Sequence, residues 1–476
     1  METNLVSRVI EKITLLLGKV VFFNVLQPIT SKYNLPFAIA IMLFTAVVLF
    51  FSLKFISITG FVQSIKLLFA KGGKDMVKGG DTASPLKALL AIIAGSTGLG
   101  GVVGVSSVVA IAGPGAAFWV LIAPIIITPL RYAEVYLGHK YRERNEDGSF
   151  AGGPSYYIKK GLAELNLPLL GKALAWLYVV LLILSAFAGA SSYQSNQIVN
   201  IIGLQFPSLV GKEVLVSFAL TSLVSLMIFR NITGIVRILS TIAPITIIAY
   251  FGSVFLVIIV NYAKIGHAFS IILSAAFDFK NSSDKILLGF LLGTSRVILA
   301  TEVGLGTAAV MHSSSSSKNS VKEGLMSMAS PVISTVFVGF ATLFAVILTG
   351  VYKTGDMGVT LISNAFATVH PQLKLVLVFM VPLMGLGVMV AWSAYGVTSA
   401  VSLFRSKFAG YVFLAFYILF IFAGGVVGNF GTILRFTDVV NTAVAIPNMI
   451  AILILLKSIR KGYLEYKSSN KNTSKK

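Results

Sequence analysis

The stretch GSTGLGGVVG, from Gly95 to Gly104, lies within an apolar run that extends from Leu86 to Ala112. Such a run is long enough to cross a bilayer, since about 20 apolar residues suffice for a helix. Its glycines and the polar Ser96 and Thr97 favour helix poorly, so the pattern predicts an interrupted membrane helix. Unwound backbone at membrane depth is tolerated where protein or a water-filled cavity satisfies its polar groups, which indicates a site for a small polar solute. A glycine-rich face for close helix packing is the alternative.

Composition places the chain among integral membrane proteins of the all-α class. Of its 476 residues, 56% are hydrophobic and 12% are charged, whereas soluble domains carry about 25% charged residues. The net charge of +21 comes from Lys and Arg that flank the apolar runs, which is a topology signal and not a nucleic-acid footprint. The chain has no cysteine and only four scattered histidines, so we assign no metal site and no cofactor.

The apolar runs predict about 11 transmembrane helices. They cover residues 35–54, 86–112, 116–138, 172–202, 211–229, 238–262, 286–311, 325–351, 371–402, 409–429 and 437–457. Residues 1–34 are apolar but carry several charges, which is typical of an amphipathic helix lying on the bilayer surface.

Basic residues are distributed unevenly over the connecting segments. With the N-terminus outside and the C-terminus in the cytoplasm, most of these basic residues lie on the cytoplasmic side, where membrane proteins carry their excess of Lys and Arg. We therefore expect that orientation in the cell inner membrane. The predicted segments are the amphipathic segment 1–34, the first span with its inner loop 35–85, a five-helix repeat 86–262, an outer loop 263–285, a second five-helix repeat 286–457 and a basic cytoplasmic tail 458–476.

An odd number of crossings in each repeat inverts the second repeat relative to the first, so the pattern predicts a five-plus-five inverted repeat. The first span of the second repeat, 286–311, carries another glycine stretch, TEVGLGT, from Thr301 to Thr307. Two interrupted helices in corresponding places are the best sequence indication of a transporter's binding site.

Several segments resemble the alanine or glycine:cation symporter family. The most specific is RYAEVYLGHKYRERNEDGSFAGGPSYYIKKGL, residues 131–162; the others are AGPGAAFW (112–119), YQSNQI (193–198), RVILATEVGLGTAAVMH (296–312) and DVVNTAVAIPN (438–448). The resemblance implies the inverted five-plus-five fold with two broken helices, and cation-coupled symport of alanine or glycine with sodium as the coupling ion.

A zwitterionic amino acid needs hydrogen-bond donors for its carboxylate and acceptors for its ammonium, and the ends of broken helices offer both. We therefore expect the substrate site to include Thr97, Gly98, Gly100, Gly101, Gln194, Thr301, Gly304, Gly306, Thr307 and Trp392. The expected partners are a small neutral amino acid, a coupling cation and the lipid bilayer. The sequence does not set the oligomeric state, and a monomer is consistent with it.

The chain departs from the family pattern at polar positions. Gly101 replaces an asparagine; Ala300, Thr301 and Val303 replace the family's residues around the glutamate, Glu302; and Ser334 replaces an aspartate. Ahead of Trp392, Gly387 and Val388 replace a Ser-Thr pair whose hydroxyls would bind sodium, a cation that prefers oxygen ligands. Sodium bound elsewhere, a proton carried by Glu302, and uncoupled transport of an altered substrate are therefore alternatives.

Two ionisable residues fall within the second interrupted span. Arg296 and Glu302 are candidates for a coupling role, because charges at membrane depth are costly, or for a structural pair that holds the interruption. A channel or a sensor of the same fold is a weaker interpretation, since no continuous polar stripe runs along the spans. No arrangement of enzyme residues occurs within them. We expect the polar loop Ser313–Ser320 and the tail from Lys467 to be flexible.

Overall fold

The computed structural model describes residues 5–28, 34–69, 77, 81–96, 98, 100–278, 283–426 and 430–473. Its regular structure is almost entirely helical. One short antiparallel hairpin joins β1 (Glu143–Arg144) to β2 (Phe150–Ala151), with Arg144 opposite Phe150.

Thirteen α-helices are described up to residue 276. They are α1 (Leu5–Val21), α2 (Phe37–Ser52), α3 (Ile56–Thr59), α4 (Phe61–Leu68), α5 (Pro85–Ser96), α6 (Val105–Ala112), α7 (Ala116–Lys140), α8 (Pro154–Glu164), α9 (Pro168–Ser185), α10 (Gln194–Gln205), α11 (Glu213–Ile228), α12 (Ile232–Val260) and α13 (Ile265–Ala276). π-helical segments at Gly100–Gly104 and Ala186–Tyr193 lead into α6 and α10.

The helices after residue 282 continue in the same manner. They are α14 (Ser283–Thr301), α15 (Thr307–Ser313), α16 (Ser320–Ser327), α17 (Ala329–Ile333), α18 (Ala341–Thr349), α19 (Gly358–Ala367), α20 (Leu375–Phe404), α21 (Lys407–Val426), α22 (Phe430–Ile454) and α23 (Leu456–Thr473). A π-helical segment, Ser334–Phe340, joins α17 to α18.

The helical lengths and hydropathies agree with a multi-pass membrane protein. Within the described residues, seven helical segments are long and apolar enough to cross a bilayer, and the bent pair formed by α5 and the helix 100–112 makes an eighth. The helices α2 and α11 are apolar but shorter. Helical residues occupy each of the predicted apolar runs, while the total of 11 crossings and the inverted repeat stay predictions.

Helix α7 lies at the centre of the fold. It packs against α2, α14, α15 and α16. About two-thirds of the residues in its apolar stretch are buried inside the protein, compared with about one-third in the apolar stretch of α12. Its last three turns bury both apolar and charged residues, including Arg131 and Glu134, which are fully inaccessible. A charged pair buried this deeply needs partners from other helices. Helix α7 holds this pair beside the interrupted segment that follows α14.

Three predicted connecting or terminal segments contain helix. The N-terminal segment 1–34 contains α1, where the backbone at Gly18 lies against Val439 of α22. The predicted outer loop 263–285 contains α13, and the predicted basic tail 458–476 is helical as far as Thr473, whereas we expected the tail to be flexible.

Four serines of the loop from Ser313 to Ser320, called the serine loop here, are buried, although Lys318 is exposed, whereas we expected a flexible polar loop. The Arg142 guanidinium donates to three of its backbone carbonyls, those of Ser313 at 2.8 Å, Ser315 at 2.5 Å and Ser317 at 2.7 Å. Burial lowers the pKa of Arg142 to about 10, which still leaves the guanidinium charged at neutral pH. The polar composition of the serine loop is typical of a segment that water solvates, but here the Arg142 guanidinium takes the place of water as the hydrogen-bond donor to the backbone.

Two further contacts hold the serine loop. The His139 ring bonds the Ser317 carbonyl at 2.9 Å and the Ser320 hydroxyl at 3.0 Å. Ala83, just before α5, forms a parallel β-bridge with Ser315. The serine loop therefore ties the end of α7 to the segment that leads into the first interrupted span.

We predict that Arg142→Ala lowers the free energy of unfolding by about 2–3 kcal/mol, because three buried carbonyls lose a charged donor. Thermal unfolding of the purified protein in detergent measures the effect. Arg144→Ala is the matched control, because Arg144 is exposed two residues further along. Equal unfolding temperatures for the two variants would contradict this role of Arg142.

Candidate functional site

The first interruption lies where the sequence predicts it. Helix α5 ends at Ser96, and the axis changes direction by 74° between α5 and the helix 100–112. The Gly98 amide donates to the Ser96 carbonyl at 2.8 Å, and the Gly101 amide donates to the Gly98 carbonyl at 3.1 Å. Tight turns thus replace the helical ladder here. Thr97, one of the predicted site residues, lies outside the described residues.

Close contact with α20 explains the need for glycine at position 98. A Cβ atom on Gly98 would lie 2.6 Å from a methyl group of Val388 and 3.7 Å from the Gln194 amide nitrogen. Gln194 is 6% exposed, and its Oε1 atom has no hydrogen-bond partner among the described residues. The structure therefore brings Gly98 and Gln194 together beside α20, with an acceptor available.

The second interruption separates α14 from α15. Three residues in it have positive φ: Glu302 at 54°, Gly304 at 96° and Gly306 at 79°. A Cβ atom on Gly304 would collide with Met42, and one on Gly306 would collide with Pro154. These two glycines are thus explained by left-handed backbone and by protein packing, whereas we expected close approach to a ligand.

A buried polar network holds the unwound residues. Arg131 of α7 donates to the Thr301 carbonyl, at the end of α14. Glu134, one turn further along α7, accepts from the Gly306 amide at 2.8 Å and from the Asn448 amide at 3.1 Å. Arg131 and Glu134 also form an ion pair at 3.6 Å. The backbone at both ends of the interruption is therefore satisfied by charged side chains.

Neighbouring helices complete the network. Asn448 of α22 donates to the Gly304 carbonyl at 2.8 Å and accepts from the Tyr157 hydroxyl. The Tyr178 hydroxyl donates to the Leu305 carbonyl at 2.8 Å. Sequence reasoning did not assign Arg131, Asn448, Tyr157 or Tyr178 to the site, although all but Tyr178 lie in motifs that resemble the family.

Glu302 forms hydrogen bonds with Trp392 and Thr307, whereas we considered Arg296 as its partner. Its Oε1 atom accepts from the Trp392 indole at 2.8 Å, and its Oε2 atom accepts from the Thr307 hydroxyl at 2.8 Å. Arg296 is half-buried beside Gly104, and no ion pair with Glu302 occurs among the described residues. Glu302, Thr307 and Trp392 thus form one cluster, which does not include Arg296.

A small cavity lies between the two interruptions. Its volume is about 10 Å³, which is room for about one water molecule. Predicted site residues Gly101 and Thr301 line it, together with Ala300, Ser334 and Thr335. The Thr335 hydroxyl is buried and has no hydrogen-bond partner among the described residues. An amino acid would fit only if the walls moved apart.

Six of the predicted site residues therefore fall into three groups. Gly98 and Gln194 lie beside α20, Gly101 and Thr301 line the cavity, and Thr307 and Trp392 bond Glu302. A Cβ atom on Gly100 would meet no atom within 4 Å. The described residues contain no group of three or more His, Cys, Asp or Glu residues able to hold a metal ion.

Comparison with solved structures supports the architecture. The crystal structure of MhsT in complex with L-phenylalanine covers 81% of this chain and 100% of its own, with a TM-score of 0.51 and 15% sequence identity. At this identity the likeness concerns the fold alone. This chain thus shares the overall fold of the MhsT transporter.

Comparison of sequences identifies the family. The family model of the sodium:alanine symporter family matches residues 19–476. The sodium/alanine symporter AgcS of Methanococcus maripaludis is 25% identical over 95% of this chain and 99% of its own. An uncharacterized transporter of Haemophilus influenzae is 30% identical, over 89% of this chain and 91% of its own. The chain therefore belongs to the sodium:alanine symporter family, a family of multi-pass membrane transporters.

Proposed function

We propose that this protein is a secondary active transporter that takes up a small neutral amino acid, alanine or glycine, by cation-coupled symport. The cavity between the two interrupted helices carries the proposal, because Gly101 and Thr301, which border the two interruptions, line it together with Thr335, whose hydroxyl has no hydrogen-bond partner among the described residues. Helix ends supply both donors and acceptors to a zwitterion. The described residues that line the cavity carry no charge, which agrees with a neutral substrate.

The proposed architecture has 11 crossings, with the N-terminus outside, the C-terminus in the cytoplasm, and the protein in the cell inner membrane. The two five-helix repeats would occupy residues 86–262 and 286–457, after the first span and inner loop 35–85. The matching positions of the two interruptions, each in the first span of its repeat, support this arrangement.

The proposed substrate site combines the cavity with the residues beside α20. The geometry favours four of these residues most: Gly101 and Thr301 line the cavity, Gln194 carries an acceptor without a partner among the described residues, and Gly98 lies beside Gln194. Thr97, Gly100, Gly304, Gly306, Thr307 and Trp392 stay in the proposed set. Thr307 and Trp392 both donate hydrogen bonds to Glu302.

Membership of the family favours sodium as the coupling ion. The residues at positions 387 and 388 favour a proton-coupled or uncoupled permease as the alternative. A Cβ atom on Gly387 would lie 2.7 Å from the Ala94 carbonyl oxygen, so this face of α20 packs directly on the end of α5. Neither Gly387 nor Val388 offers a side-chain oxygen to a cation. This supports the alternative of a proton-coupled or uncoupled permease with an altered substrate.

Uptake into proteoliposomes tests the proposed function. Labelled alanine and glycine would be offered under an imposed sodium gradient or an imposed proton gradient, with gradient-free vesicles as the control. Accumulation of either amino acid under one of the gradients is the expected result. Accumulation with sodium alone would remove the inference from Gly387 and Val388, and no uptake of either amino acid would overturn the substrate assignment.

A further inference from the structure

Three buried ionisable side chains meet at the second interruption. Arg131 is ion-paired with Glu134 at 3.6 Å and is also an electrostatic neighbour of Glu302. Arg131 and Glu134 are fully buried, and Glu302 is 8% exposed. With both carboxylates ionised, the group holds two negative charges and one positive charge. An uncompensated charge is costly away from water, so the group needs one more positive charge.

The hydrogen bonds indicate which carboxylate takes that charge. The Oε1 atom of Glu134 accepts from the N–H groups of Gly306 and Asn448. Its Oε2 atom has no hydrogen-bond partner among the described residues but lies 3.6 Å from the guanidinium of Arg131, so the positive charge of Arg131 compensates Glu134 directly. Glu302 accepts from two neutral groups, an indole and a hydroxyl. The charge of Glu302 is therefore less well compensated.

The partners of Glu302 accommodate a proton without rearrangement of the backbone. A Thr307 hydroxyl can accept as well as donate, so protonated Oε2 would donate to Thr307 while Oε1 still accepts from Trp392. The Tyr395 hydroxyl interacts with Thr307 and is otherwise without a partner among the described residues, so it can accept the displaced Thr307 hydrogen. One rotation of the Thr307 hydroxyl thus adapts the hydrogen bonds to either protonation state of Glu302.

Among the described residues, no other carboxyl group is an electrostatic neighbour of Glu302. The ionisable neighbours around it come from four helices and are Arg131, Tyr178, Tyr395 and Tyr417. Glu302 also follows Thr301, which lines the cavity, and its backbone is in the unwound segment. Movement of the cavity wall would therefore change the contacts of the carboxyl group.

We propose that Glu302 binds the coupling proton of this transporter, taking it from water on one side of the membrane and returning it to water on the other. The proposal rests on the proposed amino-acid transport and specifies its coupling ion. Binding the proton would neutralise the buried group. Losing it would favour the state in which water reaches Glu302.

Glu302→Gln tests the proposal, because glutamine copies the protonated carboxyl group: its oxygen accepts from Trp392 and its amide donates to Thr307. In proteoliposomes, we expect exchange of labelled alanine to stay within about threefold of the natural protein. Accumulation driven by a proton gradient should fall at least tenfold. Glu302→Asp, which retains a titratable group, should keep measurable proton-driven accumulation.

The other outcomes separate this proposal from the proposed function. Proton-driven accumulation by Glu302→Gln at the natural level would overturn the proton role. Loss of both exchange and accumulation in that variant would also overturn the proton role, because it would assign Glu302 to holding the interruption. Accumulation by the natural protein with sodium alone would overturn the proton role and leave alanine transport standing. Absence of both alanine and glycine exchange in the natural protein would overturn the proposed function, and this proposal with it.

Discussion

Glu134→Ala should lower the free energy of unfolding by about 3–5 kcal/mol and abolish alanine binding. The substitution leaves the fully buried Arg131 without its ion-pair partner, and breaking a buried pair costs about this much. It also removes the acceptor of the Gly306 amide at the start of α15. Thermal unfolding in detergent and equilibrium binding of labelled alanine measure the two effects.

A surface pair provides the control for Glu134. Glu146 lies 3.7 Å from Lys407, and both side chains are almost fully exposed, so Glu146→Ala should change neither measurement. Glu134→Gln keeps an acceptor for Gly306 and should lose less stability than Glu134→Ala. If Glu134→Ala unfolded at the same temperature as Glu146→Ala, the network would not hold the interruption.

The second large effect is expected at Gly98. Gly98→Leu should abolish alanine binding while leaving membrane insertion intact, and Gly98→Ala should already weaken binding, because its Cβ atom would lie 2.6 Å from Val388. Overpacking of this kind typically costs about 1–3 kcal/mol. Binding of labelled alanine to the purified variants measures the loss.

Removing the obstructing methyl groups should restore binding. The double variant Gly98→Ala/Val388→Ala has room for the new Cβ atom, so we expect it to bind alanine more tightly than Gly98→Ala does. Gly252→Ala is the control for a glycine in a span, because its Cβ atom would meet no atom within 4 Å. Unchanged binding by Gly98→Leu would mean that the first interruption serves packing only.

Hydropathy and glycine content predict much of the fold. The apolar runs predict where helices lie, and the two glycine stretches predict where α5 and α14 end. Both predictions succeed because each signal lies within the segment that it describes. The partners of the unwound backbone are not local. Arg131, Glu134 and Asn448 meet the residues 301–306 from segments more than 140 positions away. No periodicity encodes such contacts, and the family-like motifs indicate only which segments matter.

The serine loop and the second glycine stretch show why composition misleads. Serine-rich segments are usually solvated, but Arg142 satisfies the carbonyls of this one. Gly304 and Gly306 resemble ligand-approach glycines in sequence, yet Met42 and Pro154 occupy the space beside them. In both cases the deciding neighbour comes from a distant part of the chain.

The central claim is that an amino acid binds between the two interrupted helices, and protection of a single thiol in the cavity tests it most directly. The natural chain has no cysteine, so Ala300→Cys places the only thiol in the cavity lining. Lys407→Cys, at an exposed position, is the control. We expect saturating alanine or glycine to slow modification of Ala300→Cys several-fold and to leave Lys407→Cys unaffected. Equal rates with and without alanine, in an Ala300→Cys variant that still binds it, would contradict the site.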